Sequence, residues 1–144
     1  MNKALIVIDV QRGLTSLRDV SATVGKIELL IADFEKLNWP IVFMRHVDNQ
    51  DEESSLYRNK TDNLEIVVDT KQHLVLEKNK PSAFSNVELK KWLSEQQVEH
   101  VFIVGFNMEY CCLFTAITAE HEGFKIQSDA DRRCSRYGEY RGDV

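Results

Sequence analysis

The stretch Leu5-Ile-Val-Ile-Asp-Val-Gln11 decides how the rest of this sequence is read. Ala4 to Ile8 is apolar throughout, and the run ends at a carboxylate, Asp9. A strand with one solvated face alternates apolar and polar side chains. An unbroken Leu/Ile/Val run is instead how a strand covered on both faces of a parallel sheet reads. The stretch is therefore expected to be a first, centrally placed strand.

Working outward, helical and extended patterns alternate. From Ser21, the residues Val24, Ile27, Ile31, Phe34 and Leu37 recur at helical spacing, Leu30 widens the stripe, and the pattern stops before Asn38 and Pro40. Ile41 to Met44 repeats the short apolar run. The charged stretch Arg45 to Asn63 offers few core residues and reads as a long loop. Leu74 to Leu76 is a weaker strand leading into Glu77, Lys78 and a turn around Pro81, after which Ser85 and Glu88 suit a capping box opening a helix with Leu89, Trp92 and Leu93 on its apolar face. Val101 to Val104 is a clear strand ended by Gly105. A helix from about Glu109 or Tyr110 is expected to turn Leu113, Phe114 and Ile117 inward and to stop at Gly123, and Lys125 to Ser128 reads as a last short strand. This order predicts crossover connections, and so an α/β fold: a three-layer α/β/α sandwich around a mostly parallel central sheet.

With 43% hydrophobic and 28% charged residues, the 144-residue chain matches an ordinary single globular domain whose core needs no disulfide or metal staples. A net charge of -5 argues against nucleic acid or an anionic membrane as partner and favours a small-molecule substrate. The N-terminal apolar run, interrupted at Asp9, is too short for a signal peptide or a membrane span, so a cytoplasmic location is expected. Cys111 and Cys112 are adjacent and Cys134 is distant, a pattern that suggests neither a disulfide framework nor a structural zinc site.

Reactive groups in parallel sheets gather at the carboxyl ends of the strands. Asp9, Lys78 and Cys111 all fall at such ends. Individually each has a plain structural reading, as a turn former, a solvated cation and an inert buried thiol. Together they form a coherent set. A thiol at a helix N-terminus beside a cation is driven toward thiolate, and Lys78 supplies that cation. A nearby carboxylate can take the thiol proton and return it to a leaving amine, provided burial raises its proton affinity, and Asp9 fits that role. Backbone N–H groups in the turn from Gly105 to Cys111 would face the same space and stabilise an oxyanion. Residue patterns alone leave Cys111 and Cys112 as equal candidates for the nucleophile.

Three segments, Leu5 to Gln11, Glu77-Lys-Asn-Lys-Pro-Ser-Ala-Phe84 and Val104-Gly-Phe-Asn-Met-Glu-Tyr-Cys-Cys112, resemble, in order, the signature segments of the isochorismatase-like cysteine hydrolases. Thr115 to Ala119, Gly123-Phe124 and Ser128-Asp129-Ala130 extend the resemblance over about residues 1 to 130. The resemblance implies that Asp9, Lys78 and Cys111 are the catalytic residues and that Cys112 is a packing residue. It also implies a cis peptide at Phe106 to Asn107, and an oxyanion hole made by the backbone N–H groups of Asn107 and Cys111. The implied activity is hydrolysis of a small amide or related C–N bond through a thioester on Cys111, without a cofactor. Leu14, Phe84, Phe106 and Tyr110 are the expected walls of the substrate pocket.

Nicotinamidases of this superfamily hold a metal through Asp-x-His and a second His downstream. Here the second strand is followed by His46, Asp48 and Asp51 with no Asp-x-His, so no catalytic metal is expected and His46 reads as a residue shaping the strand end. Family domains usually continue with a further strand and helix. The last residues here, with Arg132, Arg133, Arg136 and Arg141 balanced by Asp131, Glu139 and Asp143, read instead as a solvated tail. An uncovered sheet edge invites a subunit partner, so a homo-oligomer, dimer or tetramer, is expected. Two alternatives to catalysis are a family member that only binds a ligand or scaffolds an oligomer, and a redox sensor in which Cys134 resolves an oxidised thiol of the adjacent pair.

Overall fold

A computed structural model describes residues 2–126 of the chain. Among these residues, the strands β1 (Asn2–Ile8), β2 (Ile41–His46), β3 (Leu74–Lys78), β4 (Val98–Gly105) and β5 (Lys125–Ile126) form one parallel sheet in the order β3-β2-β1-β4-β5. The helices are α1 (Arg12–Thr15), α2 (Ser21–Lys36), α3 (Thr61–Leu64), α4 (Val87–Glu95) and α5 (Leu113–His121).

The central strand explains the opening run. Leu5 of β1 pairs with Ile41 on one side and Phe102 on the other, and Ala4 to Ile8 are at most 1% exposed. Alternate side chains enter different cores. Ala4, Ile6 and Ile8 join Val42, Met44 and Ile103 beneath Leu89 and Leu93 of α4 and Ala116 and Ala119 of α5. Leu5 and Val7 join Phe43, Phe102 and Val104 beneath Ile27, Leu30, Ile31 and Phe34 of α2. These two cores make the molecule three-layered, with each fully buried aliphatic side chain contributing roughly 1.5–3 kcal/mol.

Several local expectations are corrected. The strand β2 continues past Met44 through Arg45 and His46, because its parallel pairing with β3 extends to Glu77 and Lys78 and an Arg45–Glu77 ion pair spans the two strands. The cap of α4 is Asn86, whose side chain accepts from the Glu88 N–H at 2.9 Å, while Ser85 belongs to the preceding 3₁₀ turn, Ala83–Ser85. Leu37 ends α2 and is exposed. The loop expected to offer few core residues contributes two, Leu56 and Tyr57.

The largest change concerns α5. Leu113, Phe114 and Ile117 face outward, and Cys112, Thr115, Ala116 and Ala119 are buried in their place. The helix is entered through a π-type turn, Met108–Cys112, in which the Cys112 N–H reaches the Asn107 carbonyl at 3.1 Å. Such a turn holds one extra residue and so rotates everything after it by about one position. The small inward residues then let the helix lie close to the sheet.

Successive strands are laid from β1 outward to β3, and the chain then crosses to the other side of β1 to form β4 and β5. The carboxyl ends of β1 and β4 therefore flank the switch point, where a crevice opens in such sheets. Close approach there depends on Gly105, which pairs with Ile8 and has φ +130. A Cβ at this position would lie 1.9 Å from the Ile8 carbonyl oxygen, which already accepts the Phe106 N–H at 2.9 Å. Gly105→Ala should therefore lower stability by at least about 3 kcal/mol or prevent folding. Urea denaturation would check this, and an unchanged midpoint would refute it.

Candidate active site

Three strand ends deliver three side chains to one point. Asp9 follows β1 directly and leaves the strand direction with φ 56, a left-handed conformation that Asp adopts more readily than most residues. Lys78 is the last residue of β3, and Cys111 lies in the π-type turn beyond β4. The Lys78 and Asp9 side chains are 0% and 2% exposed. From Lys78 Nζ, the Asp9 Oδ2 atom is 3.3 Å away and Cys111 Sγ is 3.6 Å away. The ammonium also donates to the Lys80 carbonyl at 3.1 Å and to His46 Nδ1 at 2.9 Å. The second carboxylate oxygen, Asp9 Oδ1, is buried with no partner among the described residues.

Three further residues hold this group together. Gln11 is fully buried, and its side-chain amide clamps the backbone of His46 by donating to its carbonyl at 3.0 Å and accepting its N–H at 2.9 Å, with a further donation to Leu64 at 3.0 Å. Thr115 Oγ1 donates to the Cys111 carbonyl at 2.7 Å and accepts from the Ala83 N–H at 2.9 Å, tying the Ser-Ala-Phe segment to the turn that carries the thiol. Ser82 caps the 3₁₀ turn through the Phe84 N–H and donates to Thr118 Oγ1.

Burial dominates the electrostatics. It raises the Asp9 carboxyl above the ordinary carboxylate range, although the Lys78 charge pulls the other way. It pushes the Cys111 thiol up to about 12, helped by the Asp9 charge and opposed by Lys78. The expectation that the cation would drive a resting thiolate is thereby corrected: desolvation outweighs the pull of Lys78, and the resting thiol keeps its proton. His46 falls to about 4, first through burial and then through the Lys78 charge, with Asp48 acting in the opposite sense. At neutral pH its ring is uncharged and Nδ1 is free to accept from Lys78.

The sequence pattern did not place His46 in the site. Its signal was the extra length of β2, since His46 stands two residues past Met44 and so emerges on the same face. Gln11 and Thr115 carried weak signals as well, a polar residue just after an apolar run and a hydroxyl four residues after the cysteine. The expected pocket walls divide between the two cores and the surface. Phe106 is buried in the α2-side core, while Phe84 packs against the opposite core with its ring stacked on Phe124 at 6.0 Å. Leu14 is half-buried, and Tyr110 is 53% exposed with its ring edge-on to Phe114. A cavity of about 220 Å³ beside the end of β3 is lined by Val47, Asn49, Lys78 and Asn86 among others, but by neither Asp9 nor Cys111. Cys134 and the arginine-rich segment lie outside the described residues.

Donor atoms of Asp9, His46 and Cys111 lie within 4.8 Å of one another, a spacing that a metal ion could use. The Lys78 ammonium already stands among them, and the Asp48 carboxylate is taken up by the Gln50 and Asp51 N–H groups. The residues at the end of β2 therefore do not fit the Asp-x-His metal site. Among the described residues, no helix is long and apolar enough to cross a membrane.

Comparison with known proteins agrees with this fold. A family model described as the isochorismatase domain matches residues 3–141. A provisionally assigned isochorismatase from Burkholderia xenovorans LB400 superposes with TM-score 0.78 at 25% identity, covering 87% of this chain and 64% of that one, so this chain spans less than two thirds of that protein's length. A zinc-bound pyrazinamidase from Pyrococcus horikoshii superposes with TM-score 0.75 at 26% identity, over 86% of this chain and 81% of that one. N-carbamoylsarcosine amidase from Thermoplasma acidophilum has TM-score 0.76 at 23% identity, over 88% and 80%, a likeness of fold. No match is found among curated proteins. The Phe106–Asn107 peptide is cis, as the resemblance implied.

The lowered His46 value has a consequence for stability. The unfolded chain takes up this proton near pH 6.5, whereas the folded chain resists it until about 4, so His46 removes stability as the pH falls through that window. The raised Asp9 carboxyl acts in the opposite sense, losing stability as pH rises, but it is common to wild type and a His46→Asn variant. The stability of wild type relative to His46→Asn should therefore decline between pH 6.5 and 4, by on the order of 1–2 kcal/mol once the ring's partial exposure is allowed for. Urea titrations at several pH values would show it, and a constant difference would rule it out.

Proposed function

The chain belongs to the isochorismatase family, and from that footing we propose that it is a cysteine hydrolase cleaving a small amide or related C–N bond through a thioester on Cys111. The observation that carries this reading is the buried convergence of the Lys78 ammonium with Asp9 and Cys111 at 3.3 and 3.6 Å. The amidase and pyrazinamidase among the similar structures support the choice of bond.

In the proposed reaction, Asp9 takes the Cys111 thiol proton as sulfur attacks the substrate carbonyl carbon. Burial suits Asp9 to this, since a carboxyl raised in proton affinity is a better base. Once Asp9 is neutral, the charge that opposed the thiolate is gone and Lys78 remains beside the sulfur. The N–H groups of Asn107 and Cys111 take the developing oxyanion. Collapse breaks the C–N bond, Asp9 returns its proton to the departing nitrogen, and ammonia or an amine leaves. Water then attacks the thioester with Asp9 again accepting a proton, which releases the carboxylic acid and restores the thiol.

The test is a panel of small primary carboxamides and N-carbamoyl compounds, with ammonia release as the signal and hydroxylamine added to trap the acyl group as a hydroxamate. Cys111→Ala should lower turnover by at least about a thousandfold, while Cys112→Ser should keep it within about tenfold, as expected when only one thiol forms the covalent intermediate. Turnover surviving in Cys111→Ala would reject the nucleophile. Binding of panel members without ammonia release or hydroxamate would favour a ligand-binding family member.

A further inference from the structure

Lys78 presents its ammonium to more than the two residues of the proposed chemistry. Its shortest contact is with His46 Nδ1 at 2.9 Å, compared with 3.1 Å to the Lys80 carbonyl, 3.3 Å to Asp9 and 3.6 Å to Cys111. We propose that His46 is a positioning residue, a neutral acceptor that holds the Lys78 ammonium between Asp9 and Cys111 and so keeps it available to the thiol. The inference rests on the cysteine-hydrolase reading and adds to it a residue outside the Asp, Lys and Cys set.

The physical reason is a competition. A flexible four-carbon side chain beside a buried carboxylate is drawn toward it, since opposite charges attract strongly where water is excluded. A closer Lys78–Asp9 pair would do harm in two ways. It would lower the proton affinity that Asp9 needs as a base, and it would draw the cation away from sulfur. An acceptor on a third side balances the pull without adding charge. His46 meets that requirement because its ring is neutral near pH 7 and because its backbone is held on both sides, by the Gln11 amide and by the end of the β2–β3 ladder. The charged groups facing the pair are Asp9 from the end of β1 and Asp48 from the loop after β2, while the neighbouring Arg45 is paired with Glu77.

The test follows thiol chemistry in the full chain and needs no substrate. Iodoacetamide alkylation is measured from pH 6 to 11, with Cys111 and Cys112 read separately by peptide mass spectrometry. Removing the acceptor in His46→Leu should slow Cys111 alkylation about tenfold across this range. His46→Asn, which places an amide oxygen near the Nδ1 position, should restore the rate to within about threefold of wild type. Circular dichroism confirms that each variant is folded. An unchanged rate in His46→Leu would overturn the inference, as would His46→Asn behaving like His46→Leu, since the effect would then come from ring packing.

Failure of the hydrolase reading has a different signature. It appears as no ammonia release and no hydroxamate from any amide of the panel. The Lys78–His46 contact is then read alone, by titrating the His46 ring by NMR in wild type and in Lys78→Met. Its midpoint should rise from about 4 when the lysine is removed. A midpoint that does not move would overturn the contact itself.

Discussion

Everything around the site depends on one buried cation. The Lys78 ammonium has lost its water, and a charge in that state is tolerable only if fixed polar groups surround it. Four do so: a carboxylate, an imidazole nitrogen, a backbone carbonyl and a thiol sulfur. Each comes from a different segment of the chain, so satisfying this charge fixes how the ends of β1, β2, β3 and β4 meet. Withdrawing one partner from a buried pair of this kind typically costs about 3–5 kcal/mol, because the remaining charge is left without compensation.

The fold delivers these partners through backbone geometry more than through side-chain reach. Asp9 turns out of β1 in a left-handed conformation, and Gly105 lets the β4 turn approach the same strand end closely enough to place Cys111 opposite it. Gln11 and Thr115 then fix the two flanking segments with side-chain hydrogen bonds from fully buried positions. Burial has an electrostatic effect as well. The desolvation that holds a proton on the Cys111 thiol also raises the proton affinity of Asp9, so burial moves both groups in the same direction.

The unbroken run from Ala4 to Ile8 announced a two-sided central strand, and the three motifs in order announced the family. These features were legible because strand period, apolar content and motif spacing are local properties of a chain. The phase of α5 was not. A π-type turn before it displaces the buried stripe by one residue, and no periodicity read from Leu113, Phe114 and Ile117 reveals a turn that precedes them. The true length of β2 was hidden for a related reason. Arg45 and His46 look like loop residues, and they become strand only because Glu77 and Lys78 stand beside them.

The sequence by itself determined the layer architecture, which rests on composition and spacing along the chain, and its resemblance to the family's motifs pointed to the three side chains at the strand ends. Only the tertiary structure decided their electrostatic state and their company. A thiol beside a lysine reads as a thiolate until its burial is known, and in the folded molecule desolvation outweighs the pull of that lysine. In the same way, His46 is an ordinary polar residue until the β2–β3 ladder turns it toward Lys78. Burial and cross-strand register involve residues distant in the chain, and so they exist only in the folded molecule.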